Sequence, residues 1–363
     1  MPETHELNAV EPATTSVHPA KAYAAMGVAE NLQPFNLTRR SPRPHDVALD
    51  ILYCGVCHSD LHFVRNDWGM SMYPLVPGHE IVGRVTAIGD HVKKFKVGDT
   101  VGIGCLVDSC RECENCKQDL EQYCQGGMVL TYSSFEKDGK TITYGGYSNR
   151  IVADENYVLK ISDTLPLEKV APLLCAGITT YSPLRNWKID AGHKVAVLGL
   201  GGLGHMAVKF AVSFGAEVTV LSTSPSKKAD AMKLGAHNFV VEKDEEAMKK
   251  FGNYFDFILD TVSAPHDYNL FLNLLKTNGA MVCVGLPTVP AEVPAFTLVF
   301  QRRTFAGSLI GGIAETQEML DYCAANNITA DVEVINIKDI NKAFERMEKS
   351  DVKYRFVIDM STI

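Results

Sequence analysis

No apolar run in the 363 residues approaches the ~20 needed to cross a bilayer, so no stretch reads as a membrane span. Positive charge is also short. Thirty-five Lys and Arg stand against 43 Asp and Glu, a formal net charge of −8, which removes any general pull towards nucleic-acid phosphates or anionic lipid. Residues 1–20 hold no Lys or Arg and no secretory apolar core. Neither a basic transit peptide nor an export signal is expected there, and the Glu, Thr, Ala and Pro content reads as a disordered tail. Ten cysteines are too dilute for a disulfide scaffold, and without an export signal clustered cysteines read as metal ligands or redox groups. The expected compartment is the cytoplasm.

What is present is an ordinary globular balance, 46% apolar and 21% charged, in a length that suggests two domains at roughly 150 residues each. Between about 24 and 161 the chain is rich in Gly, Pro and Val. Short β-prone runs recur there at Val47–Tyr53, Ile81–Ile88 and Thr100–Ile103, broken by turns such as Val97-Gly98-Asp99. That pattern predicts a β-rich domain with long loops. From about Leu165 apolar runs at Val195–Leu198, Val218–Leu221, Phe239–Val241, Phe255–Leu259 and Met281–Val284 alternate with helical stretches. Continuous apolar strands alternating with helices predict a parallel sheet covered on both faces. The final β-prone run, Tyr354–Ile358, is a candidate to return to the first domain.

Gly199-Leu200-Gly201-Gly202-Leu203-Gly204 follows the run Val195–Leu198 and opens a helix whose apolar face is Leu203, Met206, Ala207, Phe210, Ala211 and Phe214. Strand, glycine turn and amphipathic helix together form a dinucleotide-binding fingerprint. The glycines allow the turn and the approach of pyrophosphate to free N–H groups at the helix start. About twenty residues on, where NAD-binding chains place Asp or Glu, stand Ser222-Thr223-Ser224, followed by Lys227 and Lys228. Hydroxyls and an ammonium can donate to a 2′-phosphate that a carboxylate would repel, so NADP is expected over NAD.

Cys110-x2-Cys113-x2-Cys116-x7-Cys124 places four thiols within a short segment. A closed tetrahedral structural zinc is the preferred reading, with an iron–sulfur cluster or free thiols as competitors. The flanking Arg111, Glu112, Glu114 and Lys117 favour an exposed lobe held by metal. Cys57, His79 with Glu80, and Cys175 form a scattered second set, each of which alone is more often a core residue.

Taken in order, Cys57-His58-Ser59-Asp60-Leu61-His62, Gly78-His79-Glu80, the four-cysteine lobe, Cys175-Ala176-Gly177-Ile178-Thr179 and the glycine fingerprint resemble the zinc-dependent medium-chain alcohol dehydrogenases. The serine run, Tyr73-Pro74 and Lys353-Tyr354-Arg355-Phe356 look most like the cinnamyl alcohol dehydrogenase and NADPH-dependent aldehyde reductase branch, over about residues 22 to 360. The resemblance implies an α/β protein with a GroES-like β-rich catalytic domain, residues 21–164 and 306–363, and a doubly wound Rossmann domain, residues 165–305.

The resemblance further implies two zinc ions per subunit. The catalytic one falls to Cys57, His79 and Cys175, with Glu80 able to enter its shell; the structural one falls to the lobe cysteines. Asp60 would orient the histidine ligand, and Ser59 and His62 would relay the proton. Thr179 and Arg355 would touch the cofactor, with Trp68 and Val129 in the substrate pocket. Val129 stands where lignin-pathway members carry Trp, which implies a reshaped pocket and a broad range of primary-alcohol and aldehyde substrates rather than a dedicated one. The activity implied is hydride transfer between NADPH and aldehydes, aromatic ones included. The alternatives are an NAD-dependent alcohol oxidiser of the same fold and a catalytically silent cofactor-binding protein. A homodimer through edge strands near Phe300 to Leu309 is implied by analogy, with no nucleic-acid or membrane partner.

Overall fold

The computed structural model describes residues 17–363. Residues 1–16 of the expected tail lie outside the described residues, but the tail does not reach residue 20. Strand β1 (Val17–Ala24) pairs antiparallel with β2 (Gln33–Arg40), so the four residues from Val17 to Ala20 face Arg40 to Leu37 across a ladder. Alternating burial of Ala20, Ala22 and Ala24 explains why the segment is ordered: a period of two puts three small apolar side chains on the core.

The first domain is built on β3 (Asp46–Gly55), which pairs with β4 (Ile81–Ile88) and β8 (Arg150–Asp154); β4 in turn pairs with β5 (Thr100–Ile103) and β5 with β9 (Leu159–Lys160), while β6 (Leu106–Asp108) and β7 (Val129–Leu130) make a small separate ladder. The chain then crosses to six parallel strands: β10 (Lys194–Leu198), β11 (Glu217–Ser222), β12 (Asn238–Val241), β13 (Phe255–Asp260), β14 (Leu275–Cys283) and β15 (Thr304–Gly307). Their order, β12-β11-β10-β13-β14-β15, reverses beside β10, the switch point where doubly wound sheets bind ligands at the carboxyl ends of the strands. The central strands are continuously buried, as a sheet covered on both faces requires.

The second boundary differs from the expected 305/306. β15 straddles it as the sixth parallel strand, and the following helix, Ile313–Asn326, packs Met319, Leu320 and Cys323 into the same core as β10 and β11. The return to the first domain comes later, at β16 (Val332–Asn336) and β17 (Arg355–Asp359); β17 pairs antiparallel with β3. The predicted strand near Tyr354 therefore does come back, and it carries Arg355 to the seam between the domains. There His205 of the fingerprint helix stacks on Tyr354, ring centroids 4.8 Å apart.

Candidate active site

The helix His58–Arg65 starts immediately after β3, and its first turn is fixed by Asp60. This carboxylate is fully buried and saturated. Oδ2 accepts from the Cys57 N–H at 2.9 Å and the Tyr147 hydroxyl at 3.1 Å, and Oδ1 accepts from the Gly78 N–H at 3.0 Å. His79 Nδ1 lies 3.3 Å from the same Oδ1, which leaves Nε2 as the donor atom for a ligand. Gly78, at φ +102°, has no room for a side chain, since an added Cβ would stand 2.7 Å from Tyr147. Cys175 arrives from far along the chain, at the start of the buried helix Ala176–Asn186.

These segments bring one ligand atom each from Cys57, His79, Glu80 and Cys175 within 4.8 Å of one another, all four residues buried. The two sulfurs are 4.0 Å apart. Cys57 sits well below a free thiol, chiefly through its hydrogen bond with Cys175, whereas Cys175 is raised by its bonds with Cys105 and Cys57. Burial opposes charge on His79, yet Cys105 and Asp60 hold it well above the ordinary histidine range. Burial pushes Glu80 up to about 7 against the pull of Arg355. Glu80 Oε1 is hydrogen-bonded by Arg355, while Glu80 Oε2 and Arg355 Nε are buried without a partner among the described residues. Two sulfurs, an imidazole and an under-used carboxylate are a donor set suited to zinc.

Ser59 Oγ lies 3.7 Å from Cys57 Sγ. Three residues on, His62 Nδ1 meets Asp67 Oδ2 at 2.7 Å, and its ring lies 5.0 Å from Trp68. Asp67 and Tyr132, whose ring stacks on His79 at 5.7 Å, are neighbours of the site that the sequence reading missed. Asp67 follows Asn66, whose left-handed backbone (φ +57°) closes the helix and turns the carboxylate back towards His62. Only its offset of five from His62 was there to be noticed.

The fingerprint turn lies between β10 and the helix Gly204–Ser213. An added Cβ at Gly204 would stand 2.2 Å from the Gly199 carbonyl, so glycine is required for the close packing, whereas the space above Gly201 is open. An added Cβ at Gly202 would meet Arg355 Cδ at 2.7 Å. Leu200, Gly201, Gly202, Lys227 and Arg355 line one cavity of about 250 Å³, together with His58 and Ser226. Leu203 closes the turn as the cap of that helix. Ser222 is instead buried at the tip of β11, accepting from the Ser224 N–H at 3.3 Å; Thr223 and Ser224 complete the turn. Thr179 is buried one helical turn beyond Cys175, its N–H bonded to the Cys175 carbonyl at 2.9 Å.

Val129 stands at the start of β7 and is buried. It lines a cavity of about 580 Å³ between β2, β8 and residues 136–144, with Arg40, Asp108 and Thr131, and β7 pairs with β6. The lobe cysteines do converge, with their ligand atoms within 4.8 Å of one another. Backbone N–H groups of Cys110, Cys113 and Gln125 point at the sulfurs of Cys124, Cys110 and Cys113 at 3.3, 3.3 and 3.5 Å. Such bonds favour thiolates, and the backbone N–H groups of Glu112 and Cys113 lower Cys110 to about 6.

Comparison with known proteins gives a consistent picture. Residues 43–163 match the alcohol dehydrogenase GroES-like domain, and residues 202–325 match the zinc-binding dehydrogenase family. An NADP-dependent alcohol dehydrogenase C of Mycolicibacterium smegmatis is 57% identical over 343 residues, 94% of this chain and 98% of that one. Among solved structures, a cinnamyl alcohol dehydrogenase of Sorghum bicolor superposes with a TM-score of 0.93 at 46% identity, covering 95% of this chain and 98% of that chain. A CAD of Helicobacter pylori complexed with NADP(H) gives 0.90 at 44% identity, covering 95% and 99%.

Proposed function

The chain belongs to the zinc-binding alcohol dehydrogenase family, and from that premise we propose that it is a zinc-dependent, NADP(H)-linked alcohol dehydrogenase that reduces a broad range of aldehydes, cinnamyl-type ones included. One observation carries the reading. The side chain of Arg355 bonds Glu80 in the cysteine–histidine group and packs over Gly202 of the fingerprint, so a metal-ligand set and a dinucleotide turn share one residue.

Cys57, His79 and Cys175 would hold zinc, the Cys2His set already known for alcohol dehydrogenases, with Glu80 as an alternative fourth ligand. The lobe cysteines would hold a second, closed zinc. When bound, zinc supplies Lewis acidity towards the carbonyl oxygen and the dihydronicotinamide supplies the hydride. The chain's own residues do the rest. Asp60 fixes the His79 ring so that its second nitrogen faces the sulfurs. Ser59 holds a hydroxyl beside Cys57 for the product oxygen, and His62, steadied by Asp67, exchanges protons with solvent. Lys227 is half-buried in the fingerprint cavity with its charge opposed by desolvation, an arrangement that a 2′-phosphate would relieve. Arg355 completes the cavity floor.

The same reading includes a homodimer. Among the described residues β15 is paired on one side only, and Phe296, Val299 and Phe300, shortly before it in the chain, are exposed. It also includes a cytoplasmic location, where both thiol groups stay reduced. A panel of aliphatic and aromatic aldehydes assayed with NADPH and NADH in parallel, with zinc measured on the same sample, tests the reading. Turnover that favours NADPH, with two zinc per chain, is the expected result. No aldehyde turnover in protein carrying both metals defeats it, and a preference for NADH removes the coenzyme assignment.

A further inference from the structure

The four-cysteine lobe does more than close on itself. Its last turn, Glu121–Tyr123, immediately precedes Cys124 and reaches the segment 309–313, which joins β15 to the helix Ile313–Asn326. The Tyr123 hydroxyl oxygen accepts from the Leu309 N–H at 3.0 Å, and Glu121 Oε2 accepts from the Ile313 N–H at 3.1 Å. The helix has glycine at its cap and no side-chain bond of its own there, so the carboxylate from the lobe supplies the acceptor and complements the helix dipole. Backbone meets backbone as well: an added Cβ at Gly312 would stand 1.9 Å from the Asp119 carbonyl oxygen.

Ile310 lies between these two anchors. It is buried and holds φ at +35°, a conformation that a β-branched side chain adopts only when its surroundings impose it. The lobe provides that imposition on both sides. Ile310 shares a small cavity with Cys105, Leu174 and Ile178. Leu174 is the residue before Cys175, and Cys105 Sγ lies 3.9 Å from its carbonyl. The strained residue therefore faces the immediate surroundings of a proposed catalytic ligand.

We propose that Glu121 and Tyr123 are positioning residues that pin the 309–313 backbone, so that Ile310 forms a fixed wall of the aldehyde pocket and the four-cysteine lobe sets substrate specificity at the catalytic centre. The pocket half of this statement rests on the function proposed above. The test uses the zinc-loaded protein and the variants Glu121→Ala, Glu121→Gln and Tyr123→Phe. Zinc content, amide hydrogen exchange over 305–316, and kcat and KM for acetaldehyde, cinnamaldehyde and NADPH are measured on each.

Glu121→Ala should raise exchange at Leu309 to Ile313 about tenfold. It should also change the cinnamaldehyde-to-acetaldehyde ratio of kcat/KM about fivefold, through the cinnamaldehyde KM, with the NADPH KM within about twofold. Glu121→Gln keeps an oxygen to accept from Ile313 and should restore the wild-type ratio. Unchanged exchange, or an unchanged ratio in zinc-replete Glu121→Ala, overturns the proposal. Should Glu121→Ala fold poorly, Tyr123→Phe removes only one acceptor on a partly exposed ring and must show the same direction of change. A wild type without aldehyde turnover sinks the functional reading alone, because the exchange measurements still decide whether the clamp exists.

Discussion

Two groups of thiols in this chain solve opposite problems. The lobe gathers Cys110, Cys113, Cys116 and Cys124 from one short segment, half of it exposed, and orients their sulfurs with its own backbone N–H groups. Cys57 and Cys175, by contrast, are 118 residues apart and meet His79 only after β3, β4 and the helix Ala176–Asn186 have packed. The first group draws all its sulfurs from one segment; metal there would replace a core the lobe is too small to build. The second is wholly buried, yet Glu80 Oε2 and Arg355 Nε beside it have no partner among the described residues. Buried polar atoms are costly when unpaired. Their place beside the cysteine–histidine group fits the alternative ligand role proposed for Glu80.

The comparison is easiest to break with one variant in each group. Cys57→Ala should lose one of two zinc ions and at least about 10³-fold in kcat/KM, a little over 4 kcal/mol of transition-state stabilisation. The thermal midpoint should move little, since Asp60 still bonds the Cys57 N–H, Gly78 and Tyr147. Cys113→Ala should lose the other zinc and lower the midpoint by about 10 °C, while the fraction that stays folded keeps most of its acetaldehyde turnover and shifts its cinnamaldehyde-to-acetaldehyde ratio in the same direction as Glu121→Ala. Metal analysis, calorimetry and kinetics on the same samples decide it. If either variant sheds both ions, the two groups are not independent and the contrast fails.

The two groups also differ in how far they could be read beforehand. The lobe is visible as spacing alone, and so are the glycine turn and the run Val195–Leu198, because each is a local pattern that the folded chain barely modifies. The scattered set gained meaning only from the order of its motifs. No periodicity reports that β17 pairs with β3, since pairing is chosen by partners far along the chain. The boundary at 305 failed for a related reason. Thr304–Gly307 is short, half-exposed and weakly apolar, an edge strand identifiable only by its register against β14. β1 was hidden because small alanines alternating with Pro19, Lys21 and Tyr23 carry little apolar signal until β2 is beside them.

A smaller effect sharpens the contrast within the assembled site. His62 and Asp67 come from one helix and the loop after it, so they are a local device attached to a non-local centre. His62→Ala should lower kcat about 10²-fold, the usual scale for a positioned acid–base group. Asp67→Asn keeps a hydrogen-bonding oxygen but not the charge and should cost about tenfold. Both variants should retain two zinc ions. Equal losses from His62→Ala and Cys57→Ala would mean that His62 supports the ligand group itself rather than proton exchange.

The smallest effect concerns the coenzyme, again a local feature. Ser222 ends β11 and accepts from the Ser224 N–H, a role that an aspartate oxygen can also fill, so Ser222→Asp should fold normally. The new carboxylate would oppose a 2′-phosphate held near Lys227 while offering an acceptor to an unmodified ribose. The ratio of kcat/KM for NADPH over NADH should fall about tenfold, mostly through KM, with zinc content and the maximal rate on a saturating aldehyde preserved. Loss of kcat with both coenzymes would be the informative failure. It would mean that the tip of β11 is mechanically tied to the cysteine–histidine group, and that recognition and chemistry in this chain are not separable in the way the two thiol groups suggest.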